Sequence, residues 1–346
     1  MAYSTIPKGS LYMNTKLYTG DATTSHAITG VNFQPDMTWI KSRTSADTHA
    51  LFDAVRGATK RIIPNNDTVE GTQSNGLTAF DSDGFTVSDA GIVNQNYNYA
   101  SWNWKANGAG SANTDGSINS TVSVNDTAGF SIVSYVGNST NSTVGHGLST
   151  APKMIIFKNL NDNASWRVAH DSIGWDKSLF LDNSNATQTE PTYFNSTAPT
   201  NQVFYLGTNG GANNSGDNII AYCFADVQGY SKFGSYTGNG NTDGTFVYTG
   251  FKPAWVMVKK SSATNNWVMT DNKRDPFNDD ATNYLLANDT GAAGTGLNFD
   301  FLSNGFKLRS NSGGTNTSSA TYIYMAFAEN PFVATSGTSA IPVTAR

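Results

Sequence analysis

The sequence predicts an all-β chain built from three tandem β-sandwich repeats of the jelly-roll or concanavalin-like type. Composition is the first observation behind this prediction: only 14% of the 346 residues are charged, whereas 33 are Gly and many are Asn, Ser or Thr. Such residues favour turns or strands over helix interiors. The other two observations are a motif that recurs at a fixed spacing and the absence of any sustained 3.6-residue period.

The recurring motif is a Tyr-x-Gly turn followed by a proline. The step from glycine to proline is fifteen residues in each copy: Gly20 to Pro35, Gly137 to Pro152 and Gly238 to Pro253. A β-branched and aromatic run then leads to a lysine six residues after the proline: Lys41, Lys158 and Lys259. Because proline is tolerated where a strand begins, each run predicts a strand.

Two further strands are predicted in every repeat. HALFDAV, SWRVAHD and NWVMTDN follow a polar turn and complete a hairpin with the proline-lysine strand. The last strands align YASWNWKAN with IIAYCFADV and YIYMAFAEN, so that Trp102, Tyr222 and Met325 correspond, as do Trp104, Phe224 and Phe327. Residues two apart share one face of a strand, so both sets are predicted to face the same side.

These alignments set the predicted domain boundaries. Repeat 1, with an N-terminal arm, covers 1–110, repeat 2 covers 125–228 and repeat 3 covers 229–333. The Gly/Ser/Asn-rich residues 111–124 are predicted to be a flexible linker. Residues 334–346 form a C-terminal tail that is expected to reach a neighbouring subunit.

Composition also bears on partners and location. The formal net charge of −5 gives no basic footprint for nucleic acid. The chain has no run of about eighteen apolar residues and no signal-peptide core near its start, so neither membrane insertion nor signal-directed export is expected. The single cysteine, Cys223, lies in an apolar run and is predicted to be buried.

No catalytic group is predicted. The four histidines lack metal-ligand spacing. His170-Asp171 is not accompanied by a nucleophile elbow, and Asp171 lies at a repeat position similar to those of Asp53 and Asp271, which indicates a structural role. The few glutamates do not form the carboxylate pair of a glycosidase. The protein is therefore predicted not to be an enzyme, with a polysaccharide-degrading enzyme as the least favoured alternative.

No cofactor or metal site is predicted, although calcium stays open as an alternative. Asp81-Ser-Asp83-Gly84 and the stretch 239–244 place oxygen ligands close together. Neither stretch matches an EF-hand loop, so Asx-rich hairpin turns are the favoured interpretation.

The candidate ligand site lies where the repeats differ. Trp175 has no clear counterpart in the other repeats and is the best candidate for an exposed platform that stacks on a sugar ring, although core packing is the favoured interpretation. The loop from Gly207 adds Asn213, Asn214 and Asp217 as ligand-binding candidates.

The motifs of the third repeat resemble a known family. YTGNG (Tyr236–Gly240), GFKPAWVMVK (Gly250–Lys259), Asn266-Trp267, LSNGFKLR (Leu302–Arg309) and YIYMAFAENPF (Tyr322–Phe332) are similar to an uncharacterised repeat domain of virion structural proteins of marine tailed phages. MAYSTIP, LFDAVRGATK and GYSKFGSYTGNG extend the resemblance over nearly the whole chain. The family provides no catalytic or binding residue to carry over.

The resemblance implies a non-enzymatic virion protein that is assembled in the host cytoplasm. We expect a tail-fibre, spike or adhesin component that binds host-surface glycan, with a capsid decoration protein as the alternative. Other virion proteins are the expected partners, and a homo-oligomer, with a trimer as the first guess, is the expected state.

Overall fold

The computed structural model describes residues 4–278 and 282–330, and it shows antiparallel sheets joined by turns. This confirms the predicted all-β class. The three predicted repeats are called segments 1, 2 and 3 below. The tail at 334–346 lies outside the described residues.

The strands of segment 1 follow the short 3₁₀ helix Gly9–Leu11. They are β1 (Met13–Thr19), β2 (His26–Thr29), β3 (Met37–Ser42), β4 (Ala50–Asp53), β5 (Lys60–Arg61), β6 (Gly71–Thr72), β7 (Leu77–Asp81), β8 (Gly84–Val87) and, after the one-turn helix α1 (Gly91–Asn94), β9 (Asn98–Trp104).

Segment 2 is preceded by two strands, β10 (Ser111–Asn113) and β11 (Ser120–Asn125), and by a 3₁₀ turn at Asp126–Ala128. Its own elements are β12 (Phe130–Val136), β13 (Ser142–Gly145), β14 (Met154–Asn159), β15 (Arg167–His170), a 3₁₀ turn (Asp171–Ile173), β16 (Lys177–Phe180), β17 (Gln188–Thr189), α2 (Pro191–Phe194), β18 (Val203–Leu206), α3 (Gly210–Asn213) and β19 (Asn218–Phe224).

Segment 3 repeats the same succession. Its strands are β20 (Ser231–Thr237), β21 (Phe246–Tyr248), β22 (Pro253–Lys260), β23 (Trp267–Asp271), β24 (Asn283–Leu286), β25 (Gly294–Thr295), β26 (Phe299–Leu302), β27 (Gly305–Leu308) and β28 (Thr321–Ala328).

Each segment pairs a large sheet with a small one. The large sheets have the orders β1-β9-β3-β4, β10-β11-β12-β19-β14-β15-β16-β17 and β20-β28-β22-β23-β24-β25. The small sheets have the orders β2-β8-β7, β13-β18 and β21-β27-β26. Buried side chains from the two sheets of a segment form one core, for example Ile28, Phe85 and Tyr99 in segment 1. This is the packing of a β-sandwich.

The predicted flexible linker differs from what the structure shows. Strand β11 pairs with β12 over six residues, and β10 pairs with β11, so residues 111–113 and 120–125 extend the large sheet of segment 2. Within this stretch Ser120, Val122 and Ser123 are buried, and Val122 belongs to the core of segment 2. The linker prediction followed the Gly and Ser residues that precede this strand rather than the β-branched residues within it.

The Tyr-x-Gly motif closes the sandwich of each segment. The hydroxyl groups of Tyr18, Tyr135 and Tyr236 donate to main-chain carbonyl oxygens at 2.6–2.7 Å. The glycine two positions later allows a close backbone approach, because a Cβ at Gly238 would lie 2.3 Å from the Thr317 carbonyl oxygen. The tyrosine is therefore a structural anchor.

The second faces of the three large sheets pack against one another in a central core. At its middle the rings of Trp104, Phe224 and Phe327 meet, with centroids 6.0–6.4 Å apart in all three pairs. These are the three positions that the sequence aligned. A fully apolar void of about 10 Å³ beside these rings is too small to hold a ligand.

Hydrogen bonds join the segments in a cyclic order. The main-chain N–H groups of Glu70, Thr187 and Ala293 donate to carbonyl oxygens of the next segment: Leu160, Ser261 and, closing the circle, Arg43. Other bonds run from a segment back to the preceding one. The indole N–H of Trp166 donates to the Ile63 carbonyl oxygen, and that of Trp267 donates to the Phe180 carbonyl oxygen. His49, at the same strand position, contacts the Asp289 carbonyl oxygen through Nε2 at 3.1 Å.

Strand register corrects one alignment. Met37 pairs with Asp53 and Trp255 pairs with Asp271, but the equivalent Met154 pairs with His170 rather than with Asp171. His170, and not Asp171, therefore occupies the position of the two aspartates. The hydrophobic pattern alone did not distinguish the two neighbouring residues.

Candidate functional site

Trp175 is not an exposed platform. Its side chain is buried, with 8% exposure, and its ring packs edge-on against Phe194 at 6.4 Å in the core of segment 2. Its Nε1 donates to Asp171 Oδ1 at 3.4 Å. Core packing, the favoured interpretation, is what the structure shows, and the exposed platform is not. The equivalent position in segment 1, Ala58, also packs against a core, but its small side chain hid the correspondence.

Asn213 is a buried turn residue. Its Nδ2 donates to the carbonyl oxygens of Thr140 and Gly207, both at 2.7 Å, and its Oδ1 accepts from the Asn138 N–H at 2.9 Å. Asn94 and Asn316 accept a main-chain N–H in the same way in the other segments. Asn213 therefore fixes the backbone and has no free polar group for a ligand.

Asn214 and Asp217 lie together but apart from Trp175. Asn214 Nδ2 donates to Asp217 Oδ2 at 2.7 Å, and the same oxygen accepts from Asn159 Nδ2 at 2.8 Å. Neither residue contacts the Trp175 ring, so the predicted set does not form one site.

The two stretches considered for calcium use their oxygens within the fold. Asp83 accepts from the main-chain N–H groups of Gly30 and Asn32, and Asp243 pairs with Lys307 at 2.7 Å. Within residues 4–278 and 282–330, no group of three or more His, Cys, Asp or Glu side chains is arranged to hold a metal ion.

An exposed aromatic pair on segment 3 is the candidate site that the sequence analysis missed. Phe246 and Tyr248 lie on β21, an edge strand of the small sheet, with 42% and 63% exposure, and Val247 between them points into the core. Because they are two residues apart, both rings face solvent from the same side of the sheet. We call Phe246 and Tyr248 the aromatic platform.

Charged side chains line one side of the aromatic platform. Phe246 pairs across the sheet with Lys307, which pairs in turn with Asp300, so the three form one row on the outer face. Arg309 bonds Asp300 and lies 3.5 Å from Asp243. The Lys307 hydrogen bond holds the pKa of the Asp243 carboxyl below its usual range. Apolar faces therefore adjoin paired charges that can donate and accept hydrogen bonds.

The aromatic platform is specific to segment 3. The registers of Ile28 with Phe85, Val144 with Phe204 and Val247 with Phe306 place the three outer strands in equivalent positions. The residues that correspond to Phe246 and Tyr248 are Ala27 and Thr29 in segment 1, and Thr143 and Gly145 in segment 2. In the sequence, the only signal for this pair is the alternation of Phe246, Val247 and Tyr248, which places both rings on the face opposite Val247.

The fold and the platform together define an all-β sandwich protein with an exposed aromatic surface. The chain belongs to a family described as a domain of unknown function (DUF7483), whose model matches residues 8–331 and so spans all three segments. No curated protein and no solved structure matches the chain. In the part of the chain that the structure describes, no helix has both the length and the apolar character needed to cross a membrane.

Proposed function

We propose that this protein is a non-enzymatic structural protein of a tailed-phage virion, a tail-fibre, spike or adhesin component that binds host-surface glycan through the aromatic platform. The motif resemblance over nearly the whole chain supports the virion role. The cyclic packing of the three segments supports a structural part that presents surfaces rather than a fold built around a cleft.

The observation that carries the glycan proposal is the exposure of Tyr248 and Phe246 on one face. Large apolar rings are normally buried, and an exposed patch of them indicates an interaction surface. Aromatic faces accept the C–H side of a sugar ring, while the Tyr248 hydroxyl and the neighbouring charges can bond its hydroxyl groups.

The pairing of the charges supports binding rather than acid–base chemistry. Lys307 is paired with Asp243 and Arg309 with Asp300, so neither carboxylate near the rings is held as a free acid or base. A single small platform gives weak affinity. An oligomer that presents several copies would raise the avidity by orders of magnitude.

The test uses the purified oligomer on a glycan array and in a host-cell adsorption assay. We expect Tyr248→Ala and Phe246→Ala each to weaken binding about tenfold or more, since loss of a stacked aromatic ring is worth about 1.4 kcal/mol or more by this measure. Tyr97→Ala is the matched control, because Tyr97 is a half-exposed aromatic residue in segment 1. Absence of any glycan binding, or binding unchanged by both platform variants, would contradict the proposal.

The second candidate function is capsid decoration, as a cement or head-fibre protein. The cyclic hydrogen bonds that close the three segments into one body favour it, because such a body suits a threefold or quasi-threefold position on a shell. Imaging of the virion by electron microscopy separates the candidates: density at the tail supports the adhesin role, and many copies on the head support decoration.

A further inference from the structure

The three junctions between segments are equivalent in backbone but not in side chains, and the junction between segments 2 and 3 forms an open cleft. This cleft has a volume of about 310 Å³. Its walls carry the hydroxyl groups of Ser172, Thr187, Ser235, Ser261, Ser262 and Thr321. Lys177 is the charged side chain of the lining, and the half-buried Ile173 provides apolar surface.

The junction between segments 1 and 2 shows what the same space holds when it is filled. Arg56 lies three residues after Asp53 and is the residue equivalent to Ile173. Its Nε donates to Asp53 Oδ2 at 2.6 Å, and its Nη1 donates to Glu70 Oε2 at 3.1 Å. Glu70 Oε1 also lies 3.8 Å from Lys60 Nζ. Lys60 pairs with Thr72 across two strands in the same way as Lys177 pairs with Thr189, so Lys60 and Lys177 are equivalent. The buried Arg56 and Asp53 and the more exposed Lys60 and Glu70 thus neutralise one another there.

At the junction between segments 2 and 3 three members of this ionic set are replaced, since His170 stands where Asp53 would be. Ile173 stands where Arg56 would be, and Thr187 stands where Glu70 would be, whereas Lys177 is retained in place of Lys60. The side-chain oxygen of Thr187 is buried and has no hydrogen-bond partner. The cleft therefore retains the cation but lacks the carboxylate that faces it in the other junction.

Lys177 is available to a ligand. Its ammonium group contacts Asp176 at 3.1 Å, and both side chains are more than a third exposed. An ion pair between exposed neighbouring residues contributes little, so a carboxylate that enters the cleft can compete for the ammonium group. A ligand carboxylate would also give the Thr187 hydroxyl the acceptor that it lacks.

The rest of the lining selects a polyhydroxyl molecule. Ser261 Oγ and Thr321 Oγ1 lie 3.1 Å apart, and a hydroxyl group both donates and accepts, as sugar hydroxyl groups do. The half-buried Ile173 can face the C–H groups of a sugar ring. We propose that the cleft binds a single sugar ring that carries a carboxylate, a uronic acid, at a site separate from the aromatic platform.

The test measures binding of glucuronate and galacturonate to the full chain by ligand-observed NMR and calorimetry, with glucose and galactose as the neutral counterparts. We expect at least one uronate to bind about tenfold more tightly than its neutral hexose. Ile173→Arg with Thr187→Glu recreates the Arg56 and Glu70 arrangement, fills the cleft and should abolish uronate binding. Thr187→Val, which preserves shape, should weaken it while leaving the melting temperature near that of the unaltered protein.

Tyr248→Ala separates this proposal from the proposed function, because it should leave uronate binding in the cleft unchanged. The cleft variants should likewise leave glycan binding at the aromatic platform unchanged. The cleft proposal is overturned if no uronate binds at millimolar concentration, if the neutral hexose binds as tightly, or if binding survives the double substitution in a folded protein.

Discussion

At the residue scale, a hydrogen-bond donor at one aligned position of a segment faces a carboxylate at a second aligned position of another segment. Tyr222 donates to Asp53 at 2.6 Å, and Trp102 donates to Asp271 at 3.1 Å. The third residue of the series, Met325, has no N–H or O–H to donate, and the residue that faces it is His170 instead of an aspartate. His170 Nε2 lies 3.3 Å from the main-chain oxygen of Tyr324. A carboxylate is therefore found at this position only where the facing residue is a hydrogen-bond donor.

The bond between Tyr222 and Asp53 predicts an unequal cost for two conservative substitutions. Burial, together with the Asp53 charge, raises the pKa of Tyr222, so the hydroxyl stays a donor. Tyr222→Phe should lower the free energy of unfolding by about 1.5–3 kcal/mol, since its partner is charged. Tyr135→Phe loses a bond to the neutral Ala212 carbonyl and should cost about 0.5–1.5 kcal/mol.

Denaturant unfolding of both variants measures the difference. An equal cost for the two substitutions would show that the charge of Asp53 adds nothing to the bond.

At the element scale, the central strands β3, β14 and β22 each have a buried lysine as the penultimate residue. Lys41, Lys158 and Lys259 are fully buried, and each donates to main-chain carbonyl oxygens at the end of its own strand. Two also reach across a junction, Lys158 to Asp67 and Lys259 to Ser184. The lysine that the sequence placed six residues after each proline therefore ties strand ends together.

Burial of these lysines predicts how stability depends on pH. It lowers the pKa of Lys41 and Lys158 to about 8, and burial together with Lys260 lowers that of Lys259 to about 7. Between these values and the ordinary 10.5 the unfolded chain binds more protons than the folded chain, so stability should rise with pH across this range. Raised tyrosine pKa values should reverse the trend above pH 10.

Thermal unfolding between pH 6.5 and 9.5 measures this trend. The triple variant with Lys41→Met, Lys158→Met and Lys259→Met should show a flatter profile. A melting temperature that falls over this range in the unaltered protein would contradict the prediction.

The sequence could predict features of the fold that leave a local, periodic pattern, but not features that depend on contacts between distant parts of the chain. Alternation and the fixed spacing to Pro35, Pro152 and Pro253 predicted the central strands, because both reflect local backbone geometry. The hydrogen bonds of Tyr18, Tyr135 and Tyr236 recur in all three segments, and the count of three repeats stays a prediction. The cleft beside Ile173 could not be predicted, since it depends on which sheet faces of segments 2 and 3 meet.

At the scale of the whole molecule, the shared central core links the stability of the segments. Trp104, Phe224 and Phe327 come from three segments and are each almost fully buried by the other two. A segment alone would expose this face, and an exposed apolar surface of that size disfavours independent folding.

The whole chain should therefore unfold as one cooperative unit. Calorimetry should show a single transition with equal calorimetric and van't Hoff enthalpies. Trp104→Ala should lower the midpoint of the entire transition by several degrees or more, because removing a buried Trp costs about 3–5 kcal/mol. Three separate transitions, or a shift confined to one part of the melting curve, would refute the shared core as the source of cooperativity.

The cyclic closure of three segments in one chain has a consequence for how such a protein can change over time. In a symmetric trimer of identical chains, every mutation appears three times. A substitution that is favourable in one subunit must therefore also be tolerated at the same position in the other two subunits. Here a mutation appears once. The aromatic platform of segment 3 and the cleft between segments 2 and 3 are single-copy features of this kind, and each can be altered while the remaining copies keep the body closed.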